Sequence, residues 1–232
     1  EYDALWTHTF MSGAFEGMAR RLCQREAVRL SSDDGDAPDA AALAEQWTQL
    51  DARLAADSAE AAEDEAGWLE AIGRDRDWLD SQIELETLFS MRCRQTLSPA
   101  KLAETLIRLR MSLLMFEYEV MEVDSRHAAR EAYLNITLDG EDMEDLAHEH
   151  RFPYHRSRSY LEKVPENLQQ AFISCAPGDV IEPLTSRNQL IRINQKTEPT
   201  LDDPRINKYI HRRVLNDFLA NLESKHVRWA LK

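Results

Sequence analysis

The side chains best suited to chemistry are concentrated in the second half of the chain. Three histidines, His148, His150 and His155, could bind a metal or transfer protons. On a helix only side chains three or four residues apart share a face, so His148 and His150 point to different sides. We place His155 in a loop beyond Pro153. This spacing argues against a metal centre, and we expect neither a metal nor another cofactor.

Four carboxylates and one cysteine complete the reactive groups of this region. The carboxylates within residues 141–145 resemble a paired-acid cluster, but we expect them to lie on a solvated helix face. Cys175 has no neighbouring histidine or aspartate in the sequence that would activate its thiol. We interpret both features as structural, and neither predicts a catalytic residue.

A short basic stretch stands out because the chain as a whole is acidic. The sequence has 28 Lys and Arg against 42 Asp and Glu, a formal net charge of −14. This balance disfavours nucleic acid or an anionic membrane surface as the main partner. Arg151, Arg156 and Arg158 are candidate contacts for an acidic peptide. The alternative is that their charges protect the edge of a sheet from pairing.

The first half of the chain and its C-terminal part have the periodicity of helices. Apolar residues recur every three or four positions in 10–30, 40–54 and 74–95, and Ser98-Pro99 begins a further helix. A last helix, capped by Asp203, has an apolar residue at every fourth position: Ile206, Ile210, Val214, Phe218 and Leu222. We expect these helices to form one bundle.

The middle of the chain changes to the pattern of strands. Residues 116–120 alternate with period two, and residues 189–195 do so again. Short helices are predicted at 126–134 and 143–150. We therefore expect an α+β fold, with an N-terminal helical bundle that is completed by a C-terminal helix and an α/β domain inserted between them.

Several motifs in residues 116–196 resemble the parvulin-type peptidyl-prolyl isomerases. In order along the chain, they are GEDMEDLA at 140–147, VPENLQQAF at 164–172, PGDV at 177–180 and LIRI at 190–193. The helical flanks resemble those of chaperones such as SurA and PrsA, and of the nitrogenase maturation protein NifM. The order and spacing of the motifs make the resemblance specific.

The resemblance implies three domains. Residues 1–115 would form a helical chaperone domain, and residues 116–197 a parvulin-like domain with a small antiparallel sheet. Residues 198–232 would form a C-terminal helix that packs on the first domain.

The resemblance also implies an isomerase site, most of whose residues are changed. Parvulins use two histidines on facing strands, a Met or Leu and a Phe around the proline ring, and a Cys or Asp. Matched position by position, the histidines fall on Val120 and Gln189, the phenylalanine on Asn167 and the methionine on Lys163, or on Val164 after a one-residue slip. The segment that carries the Cys or Asp is shortened, so that residue is not placed. We expect a degenerate isomerase pocket.

Three functions follow as hypotheses. The first is a chaperone or maturation factor that holds an extended polypeptide client, such as a metalloenzyme subunit or the precursor of a modified peptide, together with partner maturation proteins. The second is an active but slow isomerase. The third is a structural subunit of a larger complex.

The compartment is predicted from the cysteines. Cys23, Cys93 and Cys175 are odd in number and lack metal-site spacing, which favours reduced thiols and the cytoplasm. The alternative is the periplasm, if an export signal was removed. No apolar run reaches about 18 residues, so we expect no membrane span.

Overall fold

The structure, a computed structural model, describes residues 14–32, 37–57, 65–183 and 188–228. These residues form two compact units. One consists of the described chain up to Leu102 together with the part from His211 onward, and the other is Ala103–Ile210. None of the described helices has the length and hydropathy needed to span a bilayer.

Nine α-helices lie in the described residues. They are α1 Ala14–Leu30, α2 Ala40–Asp57, α3 Glu65–Ala71, α4 Arg76–Thr96, α5 Pro99–Leu109, α6 Arg126–Leu134, α7 Met143–His150, α8 Glu166–Ser174 and α9 Pro204–His226. A π-helical turn, Asn135–Asp139, extends α6, and a 3₁₀ turn, Leu161–Lys163, precedes α8.

Two apolar clusters lie among the described residues of the first unit. In one, Ala27 and Val28 of α1 pack with Leu222 of α9, while Leu88 and Phe89 of α4 lie against them. The other is formed by helices α2, α3 and α4; its members are Leu69, Leu79 and Ile83, with Leu43, Trp47, Leu50, Trp68 and Trp78 around them. The stripes predicted for α2 and α4 are therefore core faces. The apolar pattern of α1 is not, because Met18 and Leu22 are each 56% exposed and Ala27 and Val28 are the residues that it buries.

The second unit is built on a four-stranded antiparallel sheet. Its strands are β1 Met115–Glu122, β2 Tyr154–Tyr160, β3 Val180–Ile181 and β4 Gln189–Thr197, in the order β2-β1-β4-β3. The central strands β1 and β4 alternate apolar residues between two covered faces. β2 and β3 lie at the edges.

Each face of the sheet has its own core. On one face α8 covers a cluster that includes Phe116 and Phe172, whose rings meet edge to face at 5.3 Å. On the other, α6 and α7 cover a cluster that includes Met121, Met143 and Leu190, all fully buried. Each such side chain stabilises the fold by about 1.5–3 kcal/mol.

Local signals explain where the covering helices begin and end. The Ser125 side chain accepts a hydrogen bond from the Ala128 N–H at 3.1 Å and so caps α6. Gly140 has φ +73°, a left-handed conformation that suits glycine at the end of the π turn. Asp142 then caps α7.

The α+β class is confirmed, and so are the predicted strands at 116–120 and 189–195. The helices predicted at 126–134 and 143–150 are also present. The loop predicted for His155 is wrong, because this residue lies in β2. Residues 10–13 of the first predicted helix lie outside the described residues.

Candidate functional site

Val120, at the first histidine position of the resemblance, lies inside the core. Its side chain is 6% exposed and belongs to the cluster under α8, with Val164, Leu168 and Ile191 among its members. An apolar residue therefore fills this position, and its neighbours close around it.

Lys163 and Asn167, at the two pocket positions, are both exposed. Lys163 ends the 3₁₀ turn, and Asn167 lies in the first turn of α8. The buried residues beside them, Val164 and Leu168, are the ones that pack under the sheet. Polar side chains thus occupy the surface where the resemblance calls for an apolar wall.

Gln189, at the second histidine position, begins β4 opposite Glu122 of β1. Its Nε2 donates a hydrogen bond to Glu122 Oε1 at 3.0 Å. A shallow depression next to this pair is lined by Glu122, Val123, Asn188 and Gln189. One of the four predicted positions is therefore buried, two are exposed, and the fourth is paired with a carboxylate.

The most concentrated group of polar contacts lies on the opposite face of the sheet and was not predicted. Glu119 in β1 is only 2% exposed, yet its carboxylate is surrounded by donors. Arg192 lies 2.7 Å from Oε2, Asn194 donates to Oε1 at 2.9 Å, and the Arg156 Nε lies 3.4 Å from Oε1. These donors replace the water that burial removes. We call Glu119, Arg156, Arg192 and Asn194 the Glu119 network.

An irregularity in β4 makes this arrangement fit. The register between β1 and β4 shifts so that Glu117 faces Gln195 while Tyr118 faces Ile193. Asn194 is the extra residue, and such bulges redirect side chains. Arg192 and Asn194 can therefore both reach Glu119.

Two further carboxylates tie the network to helix α7. Asp142 accepts from Arg192 Nη2 at 3.1 Å, and Glu144 accepts from Arg156 Nη2 at 2.9 Å. Burial alone would lower the pKa of Arg192, yet its hydrogen bonds to Asp142 and Glu119 raise it. Burial opposes ionisation of Asp142, but the backbone N–H of Glu144 and the Arg192 guanidinium hold its pKa below the ordinary value. Asp142 and Glu144 remain 47% and 41% exposed, as expected for a solvated face, and each also pairs with an arginine of the network.

The three arginines proposed to contact an acidic peptide have different surroundings. Arg151 ends α7 with φ +58°, a left-handed conformation that is uncommon for a non-glycine residue. Arg156 belongs to the Glu119 network. Arg158 lies 3.3 Å from Glu117 across the strand pair. Two of the three arginines thus already have carboxylate partners.

The remaining groups that invite chemistry do not converge. His150 stacks on Phe152 with ring centroids 5.5 Å apart. Burial and the nearby Asp179 raise the pKa of the Cys175 thiol, which disfavours the reactive thiolate. In the part of the chain that the structure describes, no three His, Cys, Asp or Glu side chains are arranged to hold a metal ion.

The chain resembles several solved chaperone structures over most of its length. It is 12% identical to the peptidylprolyl isomerase PrsA from Bacillus cereus, covering 98% of this chain and 89% of that one, with a TM-score of 0.44. For PrsA from Bacillus subtilis the identity is 16%, the shares are 98% and 89%, and the TM-score is 0.30. For a structure of SurA-like chaperones from Campylobacter jejuni the identity is 10%, the match covers 94% of this chain and 86% of that one, and the TM-score is 0.27.

Neither a family model nor a curated protein matches the sequence. Identities and TM-scores as low as these assign no family and no activity to the chain. We therefore base the proposed function on its own residues.

Proposed function

We propose that this protein is a peptide-binding chaperone or maturation factor that holds an extended polypeptide client and lacks efficient isomerase activity. The observation that carries the second part is the burial of Val120. A prolyl isomerase must lower a rotation barrier of about 18–20 kcal/mol by favouring the twisted amide. The positions that would supply the two imidazoles hold a buried aliphatic side chain and a glutamine paired with Glu122.

The pocket positions support the same conclusion. A substrate proline gains affinity by burying its ring against apolar side chains. Lys163 and Asn167 offer a charge and an amide there, both exposed to water. A proline ring would therefore gain little by binding at this surface.

Two assays on the full chain test the proposal. Uncatalysed isomerisation of a Xaa-Pro bond takes tens to hundreds of seconds, so even weak catalysis is measurable. We expect no acceleration of a Xaa-Pro test peptide, together with suppression of the aggregation of an unfolded client. The double variant Asn167→Phe/Gln189→His restores two surface positions of the resemblance without altering the core. An ordinary parvulin rate in the wild-type chain would contradict the proposal.

One observation favours a slow isomerase as a second candidate. His155 in β2 is the cross-strand partner of Val120, so its side chain projects from the same face of the sheet. An imidazole therefore lies one strand away from the position where the resemblance expects it. If residual isomerase activity exists, His155→Ala should abolish it, whereas His148→Ala should leave it unchanged.

The client and the compartment belong to the same proposal. A metalloenzyme subunit and the precursor of a modified peptide are the two client classes we favour, with partner maturation proteins beside them. All three cysteines are free thiols. The cytoplasm stays our prediction, and the periplasm stays its alternative.

A further inference from the structure

The outer edge of β2 presents a row of peptide groups that no described strand pairs with. β2 is the last strand in the order β2-β1-β4-β3 and pairs only with β1. The Glu122 N–H donates to the Pro153 carbonyl at 2.9 Å, and the Leu161 N–H donates to the Leu114 carbonyl at 2.9 Å. In an antiparallel pair, hydrogen-bonded rungs recur at every second residue.

The direction of each peptide group in β2 follows from those two rungs. His155, Ser157 and Ser159 turn their N–H and C=O groups towards β1. The residues between them, Tyr154, Arg156, Arg158 and Tyr160, turn theirs outward. An exposed row of this kind is a template for one more strand.

The side chains along this edge carry a charge pattern that selects the strand. Arg156 and Arg158 lie on one face of the sheet, directly across from Glu119 and Glu117 of β1. Their side chains are 67% and 55% exposed although Arg156 contacts Glu119 and Glu144 and Arg158 contacts Glu117. A guanidinium has five N–H donors, so donors remain for a partner on the other side. A further strand with carboxylates opposite Arg156 and Arg158 would place each arginine between two acids, one from β1 and one from the added strand.

A second copy of the chain is a poor occupant of this edge. Pairing two β2 strands antiparallel would bring arginines near arginines across the junction, and like charges on facing strands are destabilising. The complementary occupant is an extended acidic segment of another polypeptide.

We propose that an extended peptide with carboxylates two residues apart adds to β2 as a fifth strand, facing Arg156 and Arg158. This inference rests on the proposed function and names its binding mode and its sequence preference. The spacing of two is required because successive side chains of a strand point to opposite faces. Main-chain hydrogen bonds to residues 154–160 would supply affinity, and the two arginines would supply selectivity.

The test uses fluorescent ten-residue peptides of Thr and Val that carry two glutamates. In one peptide the glutamates are two residues apart, and in the other they are adjacent. We expect the adjacent arrangement to bind up to about fivefold more weakly, the effect of losing one exposed ion pair. N-methylation of the two glutamates in the first peptide should weaken binding about tenfold or more, because their N–H groups can then no longer donate to the outward-facing carbonyls of β2.

Charge reversal on the protein side completes the test. Arg158→Glu should weaken binding of the acidic peptide. It should strengthen binding of a peptide in which the glutamate facing residue 158 is replaced by lysine. Arg205→Glu, which reverses an exposed arginine in the first turn of α9, is the matched control and should change neither affinity. Circular dichroism verifies that both variants fold.

The outcomes separate this inference from the proposed function. Binding that ignores glutamate spacing, N-methylation and Arg158→Glu would overturn strand addition while leaving a chaperone that binds clients elsewhere. Self-association that Arg158→Glu alters would overturn it in favour of pairing between copies. A failure to bind any unfolded polypeptide would reject the proposed function itself.

Discussion

Removing the Arg192 guanidinium tests whether the Glu119 network is an obligatory part of the second unit. Glu119 is almost completely buried, and Arg192 makes its shortest contact, 2.7 Å. The side chain of Arg192 is itself 20% exposed. The substitution Arg192→Met keeps much of the aliphatic length but leaves the carboxylate with Asn194, the Tyr154 hydroxyl and the more distant Arg156.

The expected cost follows from what remains around the carboxylate. Breaking a buried ion pair by removing one partner costs about 3–5 kcal/mol, because a charge stays buried without compensation. Arg156 and Asn194 persist in the variant, so we expect the lower end, about 3 kcal/mol. The free energy of unfolding would be measured by urea titration of the wild-type and variant chains, followed by far-ultraviolet circular dichroism.

A double variant separates the unpaired charge from lost packing. Replacing both partners of a buried pair by apolar residues is often neutral or stabilising. Glu119→Leu/Arg192→Met should therefore recover more than half of the loss seen in Arg192→Met. Our account of Glu119 as a charge held by Arg192 would be refuted by either of two results. One is a free energy of unfolding of Arg192→Met within about 0.5 kcal/mol of the wild type, and the other is a double variant less stable than the single one.

Further predictions concern other parts of the chain. Because the pKa of Asp142 is lowered in the folded state, its charge stabilises the fold above the ordinary value of 3.8, and this contribution is lost as the pH falls through the lowered value; the melting-temperature deficit of Asp142→Asn should shrink accordingly in acid. Gly140→Ala should cost about 1–2 kcal/mol in urea unfolding, from its positive φ alone, since an added Cβ meets no atom within 4 Å. Deleting residues 201–232 removes Leu222 from its cluster and should lower the melting temperature of the N-terminal helices. Cys175 should react with iodoacetamide more slowly in the folded chain than in urea, because burial raises its pKa.

Elements with a one-sided apolar pattern could be predicted from the sequence. α9 buries residues at regular intervals, and its periodicity reflects that burial directly. β1 and β4 alternate as strands do, but both of their faces are covered, which the alternation did not predict. β2 could not be found this way. Its sequence, Tyr154-His-Arg-Ser-Arg-Ser-Tyr160, has no apolar alternation, and all seven residues are exposed or half-buried. This strand is held by its backbone hydrogen bonds to β1. Such hydrogen bonds do not depend on the side chains, so they cannot be predicted from the composition of the strand.

The Glu119 network was missed for a related reason. The alternation of Phe116-Glu-Tyr-Glu-Val120 suggests that both glutamates lie on a solvated face, and for Glu117 this is correct. Glu119 is buried instead, and arginines from the two neighbouring strands pair with its carboxylate. The partners come from positions 37 and 73 residues away, and their meeting depends on the register and on the bulge at Asn194. The one available signal was the recurrence of arginine at 156, 158 and 192 beside an alternating acidic strand.

The candidate positions for the isomerase site came from the resemblance alone, and the core around Val120 supports our proposal that this site is degenerate. A histidine at position 120 would need a polar partner or water, but the cluster around Val120 consists of aliphatic and aromatic side chains. Val120 therefore fits a face of the sheet that packs in the core. An imidazole at this position would be a buried polar ring, which costs free energy of folding.

The network and the open edge are linked through Arg156. A buried carboxylate with its partners is seldom more stabilising than apolar residues of similar size, so stability alone gives no reason to keep Glu119. What the network does achieve is to fix a long side chain: Arg156 contacts Glu119, Glu144 and the Tyr154 hydroxyl at once. Holding such a side chain in one orientation before binding saves about 0.5–1.5 kcal/mol of ordering cost when a partner arrives. On this reasoning Arg156 should recognise a carboxylate more selectively than Arg158, which contacts the Glu117 carboxylate and a weak sulfur acceptor, Met115 Sδ. Glu119→Gln should accordingly reduce the preference of the chain for a glutamate facing Arg156 more than Glu117→Gln reduces that for a glutamate facing Arg158, and equal effects in the same peptide titrations would show that the network does not orient the edge.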